Sequence, residues 1–498
     1  MWIDLFLEKR DVRKLVIYQE IATLKKIDLP SLKARTKCSE STILPLIQEI
    51  ELDLADLTGA AFSLTRCFEE SIFPDVHHYR QYLLEHSLVA QAFYTMLLSP
   101  DAGIKDFCAE QFLSRATVFR KLSVVKEILA PFHIQFNINQ LELVGSELAI
   151  RYFFCNIFWF LKPHMIEEYP LEDGELNDLI DELCDTFDSV TTVGNKQKFE
   201  LCLKIGHIRR TSGYFIKESI PSWVLVLPES FMDPQRDKLY SYLKKNCPTM
   251  YLTAEETSFY FILYSGAIYI HQETEVFDMF RLWSKQRYEP FTIIEDLANT
   301  IAAIFLPDDR PKNYDVIIAN MTSVFSTCVV LNDAPPLIFL LLKKNWQINE
   351  PLSEHLYHYC FSYLKRISRR KKYTFLEDHL DVLAHLFTYF LWPSVNDAVR
   401  QQKLSVAIIA EDNFITMLPL YNFFTQHPYV TLCPYHAQEE IDLLVIPHHS
   451  FYPEHDTRPV FHYDYLAVEN QFLKLKDVLA TRQLHKYKSR LSLTMNSQ

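Results

Sequence analysis

A mainly α fold, closed at its C-terminal end by one small α/β domain, is what this 498-residue sequence predicts. Three observations carry that reading. Only eight glycines occur and none follows Gly266, which suits long helices and leaves few turns of positive φ. Apolar residues recur at helical spacing through most of the first 392 residues. From about residue 400 the texture changes to short apolar runs separated by helical patterns. The length suits roughly three to five domains.

The first element is a helix over 11–27, with Ile17, Ile21 and Leu24 on one face. A short basic helix in "SLKARTK" and a polar turn, "CSES", follow. Ile43, Leu46, Ile47, Ile50 and Leu54 then define one buried helical stripe. Helix, short helix, turn and amphipathic helix make a helix-turn-helix over 1–60. Pro45 is expected in the last helix's first turn, where a missing N–H costs least. Ser39, Ser41 and Thr42 are its candidate DNA contacts, although Glu49, Glu51 and Asp53 lie close behind.

The plan recurs more strongly over 61–165. Ser87 to Leu98 reads as a helix, "SPDAG" breaks it, and Ile104 to Phe112 reads as a second. Ser114 is placed as the N-cap of a third. Val118, Phe119, Leu122, Val125 and Leu129 form its buried stripe, and Pro131 ends it. Ser114, Arg115, Thr117, Arg120, Lys121 and Lys126 lie toward the other side or the entry. "HIQFNI" and "LELVG" then alternate as two strands around Asn139-Gln140, which is the layout of a winged helix. A recognition helix presents such polar and basic residues to the major groove: Arg forks onto guanine, Thr reaches a thymine methyl, Lys neutralises phosphate. The competing reading is a solvated amphipathic helix that packs a bundle.

Two helical segments follow, 166–285 and 286–398. Domain five, 399–498, has strands in "KLSVAIIA", "YVTLC", "IDLLVIP" and "RPVFHYD", with helices over Asn413 to Gln426 and Tyr465 to Ala480. That alternation predicts a largely parallel sheet. The tail beyond, with Arg482, Lys486, Lys488 and Arg490, reads as a frayed basic end.

Composition excludes some chemistry. No GxGxxG or GxxxxGK is present, so there is no nucleotide cradle and no implied cofactor. The ten cysteines are never closer than Cys184 and Cys202, so there is no CxxC, and reduced thiols in a cytoplasmic protein are expected. No apolar run approaches the ~18 residues of a membrane span, and the N-terminus lacks a signal-peptide layout. The net charge is −13, but ten acids between Pro163 and Asn195, with no Lys or Arg among them, supply most of it. Local patches therefore decide the partner.

"LSRATVFRKLSVVKEILAPFHIQFNI" followed by "LELVGSELAIRYFFCNIFWFL" resembles the second winged helix of the Mga/AtxA family of virulence regulators of Gram-positive bacteria. The most telling piece is Leu143, Gly145, Glu147, Ile150 and Arg151. At word level the resemblance covers about 85–161; as an order of domains it covers most of the chain. It implies helix-turn-helix (1–60) and winged-helix (61–165) domains, two PTS-regulation-like (PRD-like) bundles (166–285 and 286–398) and an EIIB-like α/β domain (399–498). The implied protein is a cytoplasmic transcription regulator, no enzyme, that binds double-stranded DNA as a homodimer or larger homo-oligomer. The resemblance further implies phosphorylation of the regulation domains on histidine by phosphocarrier proteins of the sugar phosphotransferase system. "KIGHIRR" nominates His207, with Gly206 where the family has Asp. In "EDHLDVLAHLF", His385 stands seven residues after Asp378. The partner sites lack their histidines; His271 is a poor substitute. An EIIB-like nucleophilic cysteine is also missing from the loop after the first strand, "AEDNF", while Cys433 ends the second strand, so an interaction role is expected there.

"HLYHYC" (His355, His358, Cys360) and "PHHSFYPEHD" (His448, His449, His455, Asp456) read as ordinary histidine-rich segments because zinc ligands recur at closer spacing. The Lys365–Lys372 run reads as a solvated helix end. Two other classes stay in play: a protein-interaction scaffold, and an RNA-binding antiterminator that shares the regulation domains.

Overall fold

The computed structural model describes residues 6–64, 74–161, 174–186, 193–220, 234–265, 282, 284–306, 313–331, 351–409, 414–435, 440–446, 456–464 and 468–495. It is mostly helical, with few and short strands. By compactness it divides into one unit of 1–294, 318–349 and 361–384, and another of 295–317, 350–360 and 385–498.

The first unit opens with α1 (Lys9–Leu24), α2 (Leu29–Thr36) and α3 (Glu40–Thr58). All five residues of the Ile43–Leu54 stripe are buried against Ile17, Tyr18, Ile21 and Leu32. Helix α3 begins at Glu40, after Ser39. Pro45 therefore lies in its second turn, not its first, because the cap falls at Ser39 and the helix is already running when the proline arrives. After α4 (Val76–Glu85) and α5 (Leu88–Leu98) come α6 (Ile104–Glu110), α7 (Arg115–Leu122) and α8 (Val125–Leu129). The single third helix expected from the stripe is thus split at Ser123–Val124, while Val118, Leu122, Val125 and Leu129 remain buried on both pieces. The strands β1 (Gln135–Asn137) and β2 (Glu142–Val144) pair antiparallel, Phe136 opposite Leu143. Both of those side chains face the core.

Helix α9 (Glu147–Leu161) is buried along almost its whole length. Its neighbours in sequence are α10 (Gly174–Thr186), α11 (Val193–Thr211), α12 (Pro234–Asn246) and α13 (Leu252–Ser265). Leu201, Ile205 and Ile208 of α11 join the core to which Phe153, Phe154 and Phe158 of α9 belong. The helices α14 (Glu289–Phe305), α15 (Tyr314–Leu331), α16 (Pro351–Ser368) and α17 (Leu380–Arg400) complete the helical part. Among the described residues, α15 is the one helix long and apolar enough to cross a membrane by length and composition, and 72% of it is buried within the protein. The expectation that no segment reaches that length is corrected accordingly: Asp315 is the sole charge in α15, and Ser and Thr interrupt its apolar residues without ending the helix.

In the second unit, β3 (Leu404–Ile408), α18 (Phe414–Thr425), β4 (Val430–Cys433), β5 (Leu443–Ile446), β6 (Val460–His462) and α19 (Val468–Met495) form the α/β domain. All four strands are parallel, in the order β4-β3-β5-β6. Leu404, Val406, Leu443 and Val445 bury one sheet face against Leu420, Phe424, Leu475 and Leu479 of the helices. The tail is no frayed end. α19 runs on to Met495, because Gln483 donates to the carbonyls of Arg400 and Gln402 at 2.8 and 3.0 Å, and Lys486 reaches Asp442 at 2.7 Å. The loop acids Glu411 and Asp412, the histidines His271, His448, His449 and His455, and half of the acidic run, including Glu167, Glu168 and Asp188, lie outside the described residues.

Candidate nucleic-acid interface

The two helix-turn-helix units superimpose in sequence with one constant offset, 75 residues. Buried Leu32, Ile43, Ile47, Ile50 and Leu54 correspond to buried Phe107, Val118, Leu122, Val125 and Leu129. Each turn reverses the chain at the same position. Lys37 (φ 55°) and Phe112 (φ 52°) both take the left-handed conformation that reverses the chain. Two residues on, Ser39 and Ser114 hold the N-cap of the following helix. Three further on, Thr42 and Thr117 bring their hydroxyls within 3.0 and 2.9 Å of the cap serine. The scaffold is the same; the decoration differs.

In the second unit the Ser114 hydroxyl accepts from the Thr117 N–H at 3.2 Å, which satisfies one of the free donors that begin α7. Arg115, Arg120 and Lys126 are exposed, and Thr117 is half-buried. Arg115 donates to the Asn139 side chain at 2.7 Å and lies 5.1 Å over the Phe119 ring. The Asn139 carbonyl in turn accepts from Ile104 N–H at 3.4 Å. The wing's tip is therefore pinned to both helices of the motif. Lys121, expected on the open side, is half-buried and ion-paired with Glu8. Asn137 and Gln140 bond one another across the hairpin, and no Lys or Arg stands between Ala130 and Gly145, so the wing offers amides rather than positive charge.

At the equivalent positions the first unit carries Glu40, Pro45 and Glu51. Three of its cations are occupied. Lys33 pairs with Glu40 at 2.7 Å, Arg10 with Glu49, and Lys14 with Asp53 at 2.8 Å. Tyr79 and Tyr82 donate to Asp53 and Asp56 at 2.7 and 2.9 Å. Ser39, Ser41 and Thr42 are exposed, but the Ser39 hydroxyl bonds the hydroxyls of the other two and caps no N–H.

Every residue of the Leu143–Arg151 motif has a place in the join between wing and helices. Leu143 and Ile150 are buried. A Cβ on Gly145 would stand 3.4 Å from the His133 carbonyl, in van der Waals contact with the start of the hairpin. Glu147 accepts from Arg151 and from Arg209 of α11 at 2.9 and 2.6 Å. Arg151 also meets Glu255 of α13, which Arg210 approaches at 3.3 Å. His207, one turn before these arginines, is buried, with Nδ1 2.5 Å from the Tyr242 hydroxyl. His385 is half-buried on α17, its ring 4.3 Å from that of Tyr357 on α16. Sequence reasoning passed over Asn139, Phe112 and the acids that hold Arg151, Arg209 and Arg210. For Phe112 a signal existed: an aromatic stands at the turn position where a helix-turn-helix favours glycine.

Comparison with curated proteins gives no match. Residues 74–158, from just before α4 into α9, match the sequence model described as the Mga helix-turn-helix domain. That match supports membership of the Mga family of regulators and points to a DNA-binding transcriptional regulator.

Proposed function

We propose that this chain is a cytoplasmic transcription regulator that reads duplex DNA through its second helix-turn-helix, α7 entering the major groove. One observation carries the reading: on a shared scaffold, Arg115, Arg120 and Lys126 stand where the first unit has Glu40, Pro45 and Glu51. Three exposed cations, Arg115 at the capped entry of α7, Arg120 in its last turn and Lys126 on α8, suit a polyanion, whereas the first unit's acids repel one. Arg120 is assigned to base or phosphate, Lys126 to phosphate, and Ser114 and Thr117 to hydrogen bonds at the helix entry. Ser39, Ser41 and Thr42 contribute uncharged contacts at most. Arg115, tethered to Asn139, sets the wing against the groove as well as touching DNA.

The test is fluorescence anisotropy with duplex DNA across a salt series. Each phosphate contact removed should reduce the slope of log affinity against log salt by about 0.9. Lys126→Ala and Arg120→Ala are expected to flatten it by about that amount, and Lys121→Ala to leave it nearly unchanged because Glu8 already neutralises that lysine. Binding that ignores salt and all three changes would leave the interaction-scaffold reading in front.

The same proposal treats 166–285 and 286–398 as regulation domains, acting in a homodimer, with His207 and His385 as acceptors for phosphocarrier proteins of the sugar system. The support is a chain of contacts. Tyr242 bonds His207 and lies 5.6 Å beneath the Arg210 guanidinium, Arg210 approaches Glu255, and Glu255 holds Arg151 of α9. A phosphoryl group adds about two negative charges and would compete with Glu255 for Arg210. His207 is only 9% exposed, so transfer requires α11 and α12 to part. Incubation with the phosphocarrier system, followed by mass spectrometry under conditions that preserve phosphohistidine, should label the wild type and spare His207→Ala at that site.

A further inference from the structure

Phe112 is 96% exposed, the most exposed of the large apolar side chains on the described surface, and its φ is +52°. Both facts are costly. A left-handed conformation disfavours any residue with a Cβ, and an aromatic ring in water forgoes its burial. The turn explains the first. The N–H groups of Phe112 and Leu113 return to the carbonyls of Ala109 and Cys108 at 3.2 and 3.0 Å, the paired bonds of a Schellman turn, whose left-handed residue is usually glycine. The turn does not explain the choice of phenylalanine. Its counterpart in the first unit, Lys37, is also left-handed and also exposed, so the geometry aims whatever side chain stands there into solvent.

We infer that Phe112 is an apolar DNA contact that reads a thymine methyl at the edge of the surface presented by α7. The inference rests on the DNA-binding reading above. The chemistry of the neighbours selects the partner. Ser114 and the exposed Arg115 follow within three residues, and Arg120 lies on the same helix. An apolar protein face meeting the ring would have to strip water from those groups without pairing them. The major groove has acceptors for the arginines and hydroxyls, and on each thymine a C5-methyl that takes an aromatic edge. The first unit keeps the left-handed residue at this position but places a lysine there, whose charge suits a phosphate and does not discriminate that methyl.

The experiment is selection of binders from a random 20-base-pair duplex pool by the full chain and by Phe112→Asn, since Asn tolerates positive φ and keeps the turn. Wild type should enrich a thymine that the variant leaves unspecified. Deoxyuridine at that position, which removes only the methyl, should weaken wild type about fourfold and leave Phe112→Asn unchanged. Identical selected motifs, or an equal uridine effect on both proteins, would overturn the inference while leaving DNA binding intact. Failure of the wild type to enrich any duplex would remove the DNA-binding reading and this one with it. An unchanged motif with loss of self-association in the variant, seen by sedimentation, would assign the ring to a contact between copies instead.

Discussion

The Arg151 guanidinium grips the Glu255 carboxylate with two hydrogen bonds of 2.6 and 2.9 Å, both side chains almost wholly buried. This pair joins α9, the last helix of the winged unit, to α13 across 104 residues of sequence. Both ions are held by further hydrogen bonds. Glu255 also accepts from the Ile216 N–H at 2.9 Å, and Arg151 donates to Glu147 and to the Tyr214 carbonyl at 2.9 and 2.8 Å. Removing one partner strands the other charge in a low-dielectric interior. Glu255→Ala should therefore cost about 3–5 kcal/mol, read as a lower urea midpoint at unchanged slope. Replacing both, as Arg151→Met with Glu255→Leu, should recover a large part of that loss. Additive losses in the double variant would show that the two residues act separately.

The same carboxylate gives the pair a pH signature. Burial pushes the Glu255 carboxyl up, but Arg151 and Arg210, with the Ile216 N–H, overcome that push and hold it below its ordinary value of 4.5. A folded-state value below the unfolded one means a contribution fully present above the unfolded value and lost as the pH falls through the folded value. Stability should thus be insensitive to this group above about pH 5 and decline below it. Glu255→Gln should flatten the decline below about pH 5. A parallel loss in wild type and variant, followed by urea unfolding at stepped pH, would assign the acid sensitivity to other carboxylates.

Ser114 and Ser39 occupy equivalent N-caps and should respond differently to alanine. Ser114 accepts from a backbone N–H of its helix; Ser39 shares its hydroxyl with Ser41 and Thr42 only. Ser114→Ala is expected to cost about 1 kcal/mol, and Ser39→Ala a few tenths. Thermal unfolding of the two single variants distinguishes them, and equal losses would contradict the hydrogen-bond assignment.

The contrast shows what a sequence carries and where it stops. Local terms were legible. The cap at Ser114, the stripe from Val118 to Leu129, the hairpin around Asn139-Gln140 and the four parallel strands each follow from periodicity or turn chemistry within a dozen residues. What failed depended on partners far away in the chain. Lys121, expected on the open side of its helix, is half-buried and pairs with Glu8 from the far end of the sequence. The basic tail looked frayed because Arg400, Gln402 and Asp442, which anchor it, lie 44 to 83 residues earlier. Helix α4 passed unread, although Val76, Tyr79, Tyr82 and Leu83 recur at helical spacing behind the Asp75 N-cap. Arg209 and Arg210, which follow His207 in the sequence, are held by Glu147 and Glu255. Charge counts along the chain cannot see such neutralisation.

Phe112 links stability to the proposed reading of DNA. Glycine adopts positive φ without the Cβ penalty, a saving of about 1–2 kcal/mol for the folded state that is partly offset by glycine's greater freedom when unfolded. Phe112→Gly should therefore raise stability by about 0.5–1 kcal/mol while removing the exposed ring. If the ring serves DNA, the more stable variant binds its selected duplex less tightly, a trade between stability and function confined to one turn. A destabilised variant would mean that the ring packs in solution against something that holds the turn together, and the strain argument at this position would fall.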